Sequence, residues 1–440
     1  MPASSPSSAA LDRTTSIPTN IVKLSLICCI FFFMPFLSAR ATDDSIEKLA
    51  QDARIARSLD WIEKNPAWVT EQQIRLTEIP APEFHEARRG ESLKRLFEAE
   101  GLKVHTDKLG NVIAERPGSG PEAEKVILVI AHLDTVFPAG TDVRVKRDGD
   151  RLEAPGISDN GAGLAAVVGL ARALAESRVR TDRTIVLAGD VGEEGEGNLR
   201  GVRELVESYG SRLAAVIAVD GASTEHITTQ AIASRRFEVA ITGAGGHSWS
   251  DFGAPNPITA LARGIVQFSA IRLPESPRSS FNFGVIEGGT SVNSIPSRAD
   301  VKVDLRSEDE TALARLESAL RDAMQSGVRE ETSAMNPNGD SLGITFRSLG
   351  ARPGGKLPDD SPLLEAMRNV DRFLGNRSRL ERSSTDANIP LSMGVPAISL
   401  GGGGSGGGSH SLTEWYDPRS RQLGLKRIFL LTVSLGGVQP

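Results

Sequence analysis

Histidine and carboxylate residues recur just after apolar runs in this chain. The run VILVIA is followed by His132, Leu133 and Asp134; TIVLAGD by Val191, Gly192, Glu193 and Glu194; AAVIAV by Asp220; and AISL, after a glycine-rich stretch, by His410. Asp159 stands in PGISDNG, just ahead of a segment rich in Ala, Leu and Val. Each piece alone has an ordinary explanation: H-x-D is commonly a polar loop, Glu-Glu a solvated surface, Asp-Asn-Gly a turn. Their joint placement is different. In open α/β sheets, ligands bind beyond the carboxyl ends of the strands, and here four strand ends and one helix entry bring such groups to a single rim. Carboxylates crowded there repel one another, and two divalent cations remove that penalty. Two imidazoles with several carboxylates suit Zn²⁺, with Co²⁺ or Mn²⁺ as alternatives. Asp134 is spaced to accept the second ring N–H of His132 and fix its tautomer. The Glu193-Glu194 pair offers one metal ligand and one free carboxylate for proton transfer.

The elements that must position these groups follow from hydrophobic spacing. Residues 44–75 carry Ile46, Leu49, Ile55, Leu59 and Ile62 at helical spacing, and a further helix near 84–100 ends at Gly101. Residues 125–131 (KVILVIA), 184–188 and 214–219 are continuous apolar runs suited to buried parallel strands. Helical segments at 161–176 and 199–209 separate them. This βαβ rhythm predicts an α/β domain with a mostly parallel sheet. The character changes at Ser234. Residues 236–242 alternate, 257–270 read as helix, 280–286 and 299–305 as strands, and 308–328 as a charged amphipathic helix. The α/β pattern returns after Gly350, with a helix at 361–373, a strand at 397–400 and a terminal helix near 418–433. The expected organisation is therefore a larger α/β domain of residues 42–233 and 347–440, interrupted by a small α+β domain at 234–346.

Composition narrows the classes. With 50 Lys+Arg against 56 Asp+Glu the net charge is −6, and no basic run occurs, which argues against nucleic-acid binding. The two cysteines are adjacent, Cys28 and Cys29, which excludes a disulfide scaffold and a cysteine-ligated zinc site. Both lie in LSLICCIFFFMPFLS (24–38), preceded by Lys23 and followed by Ala39-Arg40-Ala41. That is a basic n-region, an apolar h-region and an A-x-A box. The stretch is shorter than the about 20 residues of a spanning helix. The expectation is a cleaved signal peptide (1–41), an exported periplasmic or secreted protein and no stable membrane insertion; an uncleaved anchor is the alternative. Residues 401–409, GGGGSGGGS, look like an artificial flexible linker. Glycine there would let backbone approach a metal and substrate closely.

The motifs AHLDTV (131–136), APGISDNGAG (154–163), GDVGEEGEGNLRG (189–201), AVDG (218–221), TGAGGHS (242–248), SVNSIPSRADVKVDLR (291–306) and GGGSHSLTEW (406–415) run in order along the chain. As a set they resemble the M20 metallopeptidase family, which includes glutamate carboxypeptidase, peptidase T, dipeptidases and acetylornithine and succinyl-diaminopimelate deacylases. The resemblance implies a zinc-exopeptidase-type catalytic domain with two zinc ions per subunit bridged by Asp159, whose peptide bond to Asn160 is typically cis in relatives. His132 and Asp220 would complete one site, Glu194 and His410 the other. Glu193 would be the general base and Asp134 the orienter of His132. The resemblance also makes 42–233 and 347–440 the catalytic domain and 234–346 a lid or dimerisation domain; His247, on that lid, matches a histidine that in dimeric relatives reaches the partner subunit's site. Asn293 and Arg306 match lid residues that contact substrate. A homodimer is implied in the same way. Relatives also place glycines before the histidine equivalent to His410.

The expected reaction is amide hydrolysis by a two-metal-activated water, with Glu193 moving its proton to the leaving amine. Among relatives a short carboxylate such as Asp220 is commoner in aminopeptidase- and dipeptidase-type enzymes, so the expected substrate is a small peptide. An N-acyl-amino-acid deacylase or carboxypeptidase of the same family is the alternative, and a metal-free peptide-binding relative stands outside both.

Overall fold

The computed structural model describes residues 43–335 and 341–440. The expected signal peptide and both cysteines lie outside the described residues. Among the described residues, no helix is long and apolar enough to cross a membrane.

The amphipathic N-terminal stretch is three helices rather than one. Asp52 accepts from Arg54 N–H at the start of Ala53–Lys64, and Asn65-Pro66 breaks the chain before Pro66–Thr77. Proline fits the first turn, where its missing N–H has no helical partner. These helices pack on Gly161–Ser177, which is apolar on nearly all sides and buried between them and the sheet.

Among the described residues the main sheet has nine strands. At its centre Thr184–Asp190, Val126–His132, Leu213–Val219 and Ala397–Leu400 lie side by side and parallel. Three of these four strands are buried along their whole length, as continuous apolar runs between helical layers must be. The edges correct the expectation of a mostly parallel sheet. Lys103–Thr106 and Val112–Arg116 pair antiparallel on one side, and His226–Ala231 and Gly355–Lys356 on the other, so the sheet is mixed. Lys103–Thr106 and Val112–Arg116 are joined by a tight connection, which permits only antiparallel pairing; the other antiparallel pairs join strands distant in sequence.

Val126–His132 has Thr184–Asp190 on one side and Leu213–Val219 on the other. The strand order reverses there, which opens a crevice at the carboxyl ends. Between Ala233 and Arg352 lies a separate α+β unit. Its four-stranded antiparallel sheet, in the order Ser279–Gly288, Arg298–Ser307, Ala233–Thr242, Gly343–Arg352, carries two helices, Pro257–Ser269 and Glu310–Met335, on one face. It has its own apolar core, including Phe237, Val239, Phe268, Val301 and Leu320. Its last strand crosses the boundary that the sequence places at 346 and ends at Arg352, paired with Ser234 of its first strand. The unit thus joins the α/β body through two neighbouring strands.

Candidate metal centre

The carboxyl-end rim gathers the residues singled out above. His132 is the last residue of Val126–His132, and Asp220 follows Leu213–Val219. Glu193 and Glu194 lie in the turn after Thr184–Asp190. Asp159 precedes the helix Gly161–Ser177, and its peptide bond to Asn160 is cis. His410 comes from a hairpin: Ser405–Gly407 pairs with Trp415–Asp417, and His410 occupies the connecting loop in a left-handed conformation, φ 66°.

The two oxygens of Asp159 face different histidines. Oδ1 is 3.1 Å from His132 Nε2, and Oδ2 is 3.3 Å from His410 Nε2. His132 Nε2 also lies 3.7 Å from Asp220, and His410 Nε2 lies 3.0 Å from Glu194 Oε1. Two three-residue donor sets result, His132–Asp159–Asp220 and Asp159–Glu194–His410, each with its ligand atoms within 4.8 Å of one another. A third set, His132–Glu193–Glu194, meets the same criterion.

Two further carboxylates hold these loops. The H-x-D spacing predicts that Asp134 accepts from the His132 ring. His132 Nδ1 lies 3.1 Å from the Asp134 carbonyl oxygen and 3.7 Å from its carboxylate, so both oxygens face the ring. The Asp134 carboxylate accepts the backbone N–H groups of Glu193 at 3.0 Å and Glu194 at 2.8 Å, so it orients the whole turn. Glu414, to which the sequence assigns no role, is fully buried and accepts from the N–H groups of Gly156, Ser158 and Asp159 at 2.7–2.8 Å. Hydrogen bonds to a charged group contribute about 1.5–3 kcal/mol each, enough to fix the Asp159 loop. Asn160 ties that loop to the Asp220 strand, donating to Val219 O and accepting from Gly221 N–H. The four residues after Glu193 receive another acid, as Glu83 accepts from the N–H groups of Glu196 and Gly197.

The glycine run is packed backbone. A Cβ on Gly402 would lie 2.6 Å from Ala162 O, one on Gly403 2.5 Å from Arg421 O, and one on Gly406 2.3 Å from Ser158 Oγ. Side chains at these positions would push the hairpin bearing His410 off the Asp159 loop.

The donor chemistry fits two divalent cations. Burial pushes the Glu194 carboxyl up to about 8 and raises Glu193 as well. Burial alone would depress His132, but Asp134, Asp159 and Asp220 outweigh it and hold the ring well above its ordinary value. Asp159 and Glu194 lift His410 to about 10. Asp159, although buried, is held far below the carboxylate range by the two imidazolium rings. Protons on the histidines thus supply the positive charge that metal ions would supply. The neighbouring carboxylates favour the doubly protonated form of both rings, so metal loading is expected to release protons and apparent affinity to weaken as pH falls. Calorimetric titration in buffers of different ionisation enthalpy counts these protons; an affinity that does not change between about pH 6 and about pH 8 would mean that no titrating ring or carboxylate is a ligand.

A cavity of about 730 Å³ opens over the centre, lined by Asp159, Glu193, Asp220 and His410 on the body side and by Arg236, Asn282, Asp304 and Arg306 from the α+β unit. Arg306 Nε is engaged by Asp304 at 2.6 Å. His226, which matches no sequence motif, lines this cavity, as do Thr385 and the buried Arg352. His247 and Asn293 do not line it. They neighbour each other on an exposed part of the α+β unit, where Ser248 N–H donates to Asn293 O at 3.0 Å and strand Gly246–His247 pairs with Ser294–Ile295.

The profile of Peptidase family M20/M25/M40 matches residues 128–431. The chain belongs to this family. Its described residues carry the two donor sets of a candidate dinuclear metal centre. Among curated M20 relatives it is similar to a LysW-lysine/LysW-ornithine hydrolase sequence of Pyrococcus abyssi, named there as a tentative assignment, at 35% identity over 120 residues, 27% of this chain and 32% of that protein. It is also similar to the cytosol non-specific dipeptidase of Escherichia coli, at 23% over 305 residues, 62% of this chain and 60% of that protein. The matched stretches therefore span less than two thirds of these relatives. The M20 fold extends further: a tripeptidase of Staphylococcus aureus superposes with a TM-score of 0.68 at 21% identity, covering 84% of this chain and 99% of the other.

Proposed function

We propose that this M20 protein is a zinc-dependent exopeptidase that hydrolyses small peptides, of aminopeptidase or dipeptidase type. The observation that carries the reading is Asp159 with one oxygen toward His132 and the other toward His410. His132 and Asp220 would hold one ion, Glu194 and His410 the other, and Asp159 both; imidazole and carboxylate donors suit zinc. Two such ions activate a water at neutral pH and polarise the scissile carbonyl.

The chain's own residues do the rest. Glu193, buried beside the donor sets and open to the cavity, takes the proton from the attacking water and passes it to the leaving amine. His132 keeps its metal-facing nitrogen unprotonated while its Nδ1–H donates to the Asp134 carbonyl. His247 lies away from its own chain's cavity, and in this reading it donates to the developing oxyanion of the partner's site in a homodimer. Arg306 and Asn293 would contact substrate, Arg306 from the wall of this cavity and Asn293 beside His247. A cavity of about 730 Å³ suits a di- or tripeptide. Asp220, the shorter carboxylate, supports the aminopeptidase or dipeptidase reading.

The cationic lid wall, Arg236 and Arg306, supports a second reading, an N-acyl-amino-acid deacylase or carboxypeptidase that binds a substrate carboxylate. A panel of free dipeptides and tripeptides, N-blocked peptides and N-acetyl amino acids separates the two. Free peptides are expected to be cleaved at least about tenfold faster than blocked ones, one such factor being about 1.4 kcal/mol of transition-state discrimination. Preferred cleavage of blocked or N-acyl substrates overturns the first reading in favour of the second.

A further inference from the structure

Arg352 ends the last lid strand, at the point where the chain leaves the lid and re-enters the body. Its side chain is 4% exposed, and its partner Glu193 6%. Nη1 donates to Glu193 Oε1 at 2.8 Å and to Ser384 Oγ at 3.1 Å, and Nη2 donates to the carbonyl oxygen of Glu193. One planar group therefore grips the backbone and the carboxylate of the same residue, which the rigid fork of a guanidinium allows and an ammonium does not. Oε1 is the oxygen that Arg352 holds. Oε2 takes no hydrogen bond from the described residues, which leaves it to receive a proton.

Two more lid cations reach the same turn. Arg236, on the strand paired with that of Arg352, donates to the Gly195 carbonyl, and Lys302 from the next strand meets Glu196 at 2.7 Å. Asp134 holds the turn from the body side through the N–H groups of Glu193 and Glu194. The Glu193–Glu196 turn is thus gripped between the two parts of the molecule.

We propose that Arg352 is a positioning residue for Glu193: fixed at the root of the lid, its guanidinium aims the Glu193 carboxylate, so the seating of the lid sheet and the direction of the base are one setting. This rests on the reading of Glu193 as general base. A buried charge pair is costly to break, because the partner left behind has no solvent to turn to. Glu193 without Arg352 keeps its place in the chain but loses the constraint on its side-chain torsions. A misplacement of about 1 Å at a reacting group can cost about 10²-fold in rate.

The test is a double-mutant cycle on the metal-loaded, full-length protein, with Arg352→Met and Arg352→Lys made alone and with Glu193→Gln. Arg352→Met is expected to lower kcat by about 10–100-fold while KM moves less than about threefold and two metal ions per chain are retained. Added guanidinium is expected to restore part of the rate, and Arg352→Lys to fall between. In the Glu193→Gln background the Arg352 substitutions are expected to cost less than about threefold, since there is no base left to aim. An equal loss in both backgrounds, or a loss carried by KM, overturns the proposal and makes Arg352 a substrate contact. A Glu193→Gln protein with wild-type kcat overturns the base reading itself, which is a different result from an additive cycle. Should Arg352→Met fail to fold, Arg352→Lys and its cycle decide between the same outcomes.

Discussion

Glu193→Gln is expected to lower kcat by about 10²–10⁴-fold, the range associated with loss of a positioned general base, while metal content stays at two ions per chain. The amide has nearly the same shape, and its oxygen can still accept from Arg352 Nη1, so the local structure should survive. What it cannot do is hold a proton between the attacking water and the leaving amine. Metal analysis beside steady-state kinetics makes the result decisive, because Glu193 also belongs to a possible donor set with His132 and Glu194. If the rate and one metal ion are lost together, Glu193 is a ligand and the base lies elsewhere. If the rate is unchanged, the mechanism is wrong at its central step.

Asp159→Ala is expected to be more severe. Asp159 is the one residue common to the two bridged donor sets, His132–Asp159–Asp220 and Asp159–Glu194–His410, so its loss removes a ligand from both sites at once. Metal content should fall from two ions per chain to below one, and activity by more than about 10³-fold, since nucleophile activation and carbonyl polarisation depend on the same pair of ions. His410→Ala, in contrast, touches one set and should spare the other ion. Retention of two ions by the Asp159 variant would remove the bridging role. The carboxylate also balances two protonated imidazoles in the metal-free chain, so the variant's thermal stability should be compared with that of the metal-free parent, not the loaded one.

Much of this site was legible because a buried parallel strand announces itself as an unbroken apolar run, and the residue after it must lie at the rim. His132 and Asp220 follow from that rule, Glu194 from the turn that continues it, and Asp159 from its place ahead of a helix, whereas His410 reaches the rim from a hairpin well beyond its strand. The mixed character of the sheet was not legible for the opposite reason. Lys103–Thr106 and Arg379–Ser383 are mostly exposed strands without an apolar run, and pairing rather than composition makes them strands. The supporting residues were hidden by distance along the chain. Arg352 meets Glu193 across 159 positions and Glu414 meets Asp159 across 255, and no local pattern marks either contact. Asp134 is marked by its H-x-D spacing, which brings its carboxylate to the ring; that the same carboxylate also takes two backbone donors of the Glu193 turn shows only in the folded chain.

The glycine run before His410 bears on how this protein can be handled. To a cloner, GGGGSGGGS invites a tag, a cleavage site or a domain fusion, because such stretches elsewhere are slack. Here there is no slack: a side chain at Gly402, Gly403 or Gly406 would collide with Ala162, Arg421 or Ser158. An insertion at this point would displace one imidazole of the candidate donor sets. The same nine letters that mean tether in an expression vector are, in this chain, a keystone.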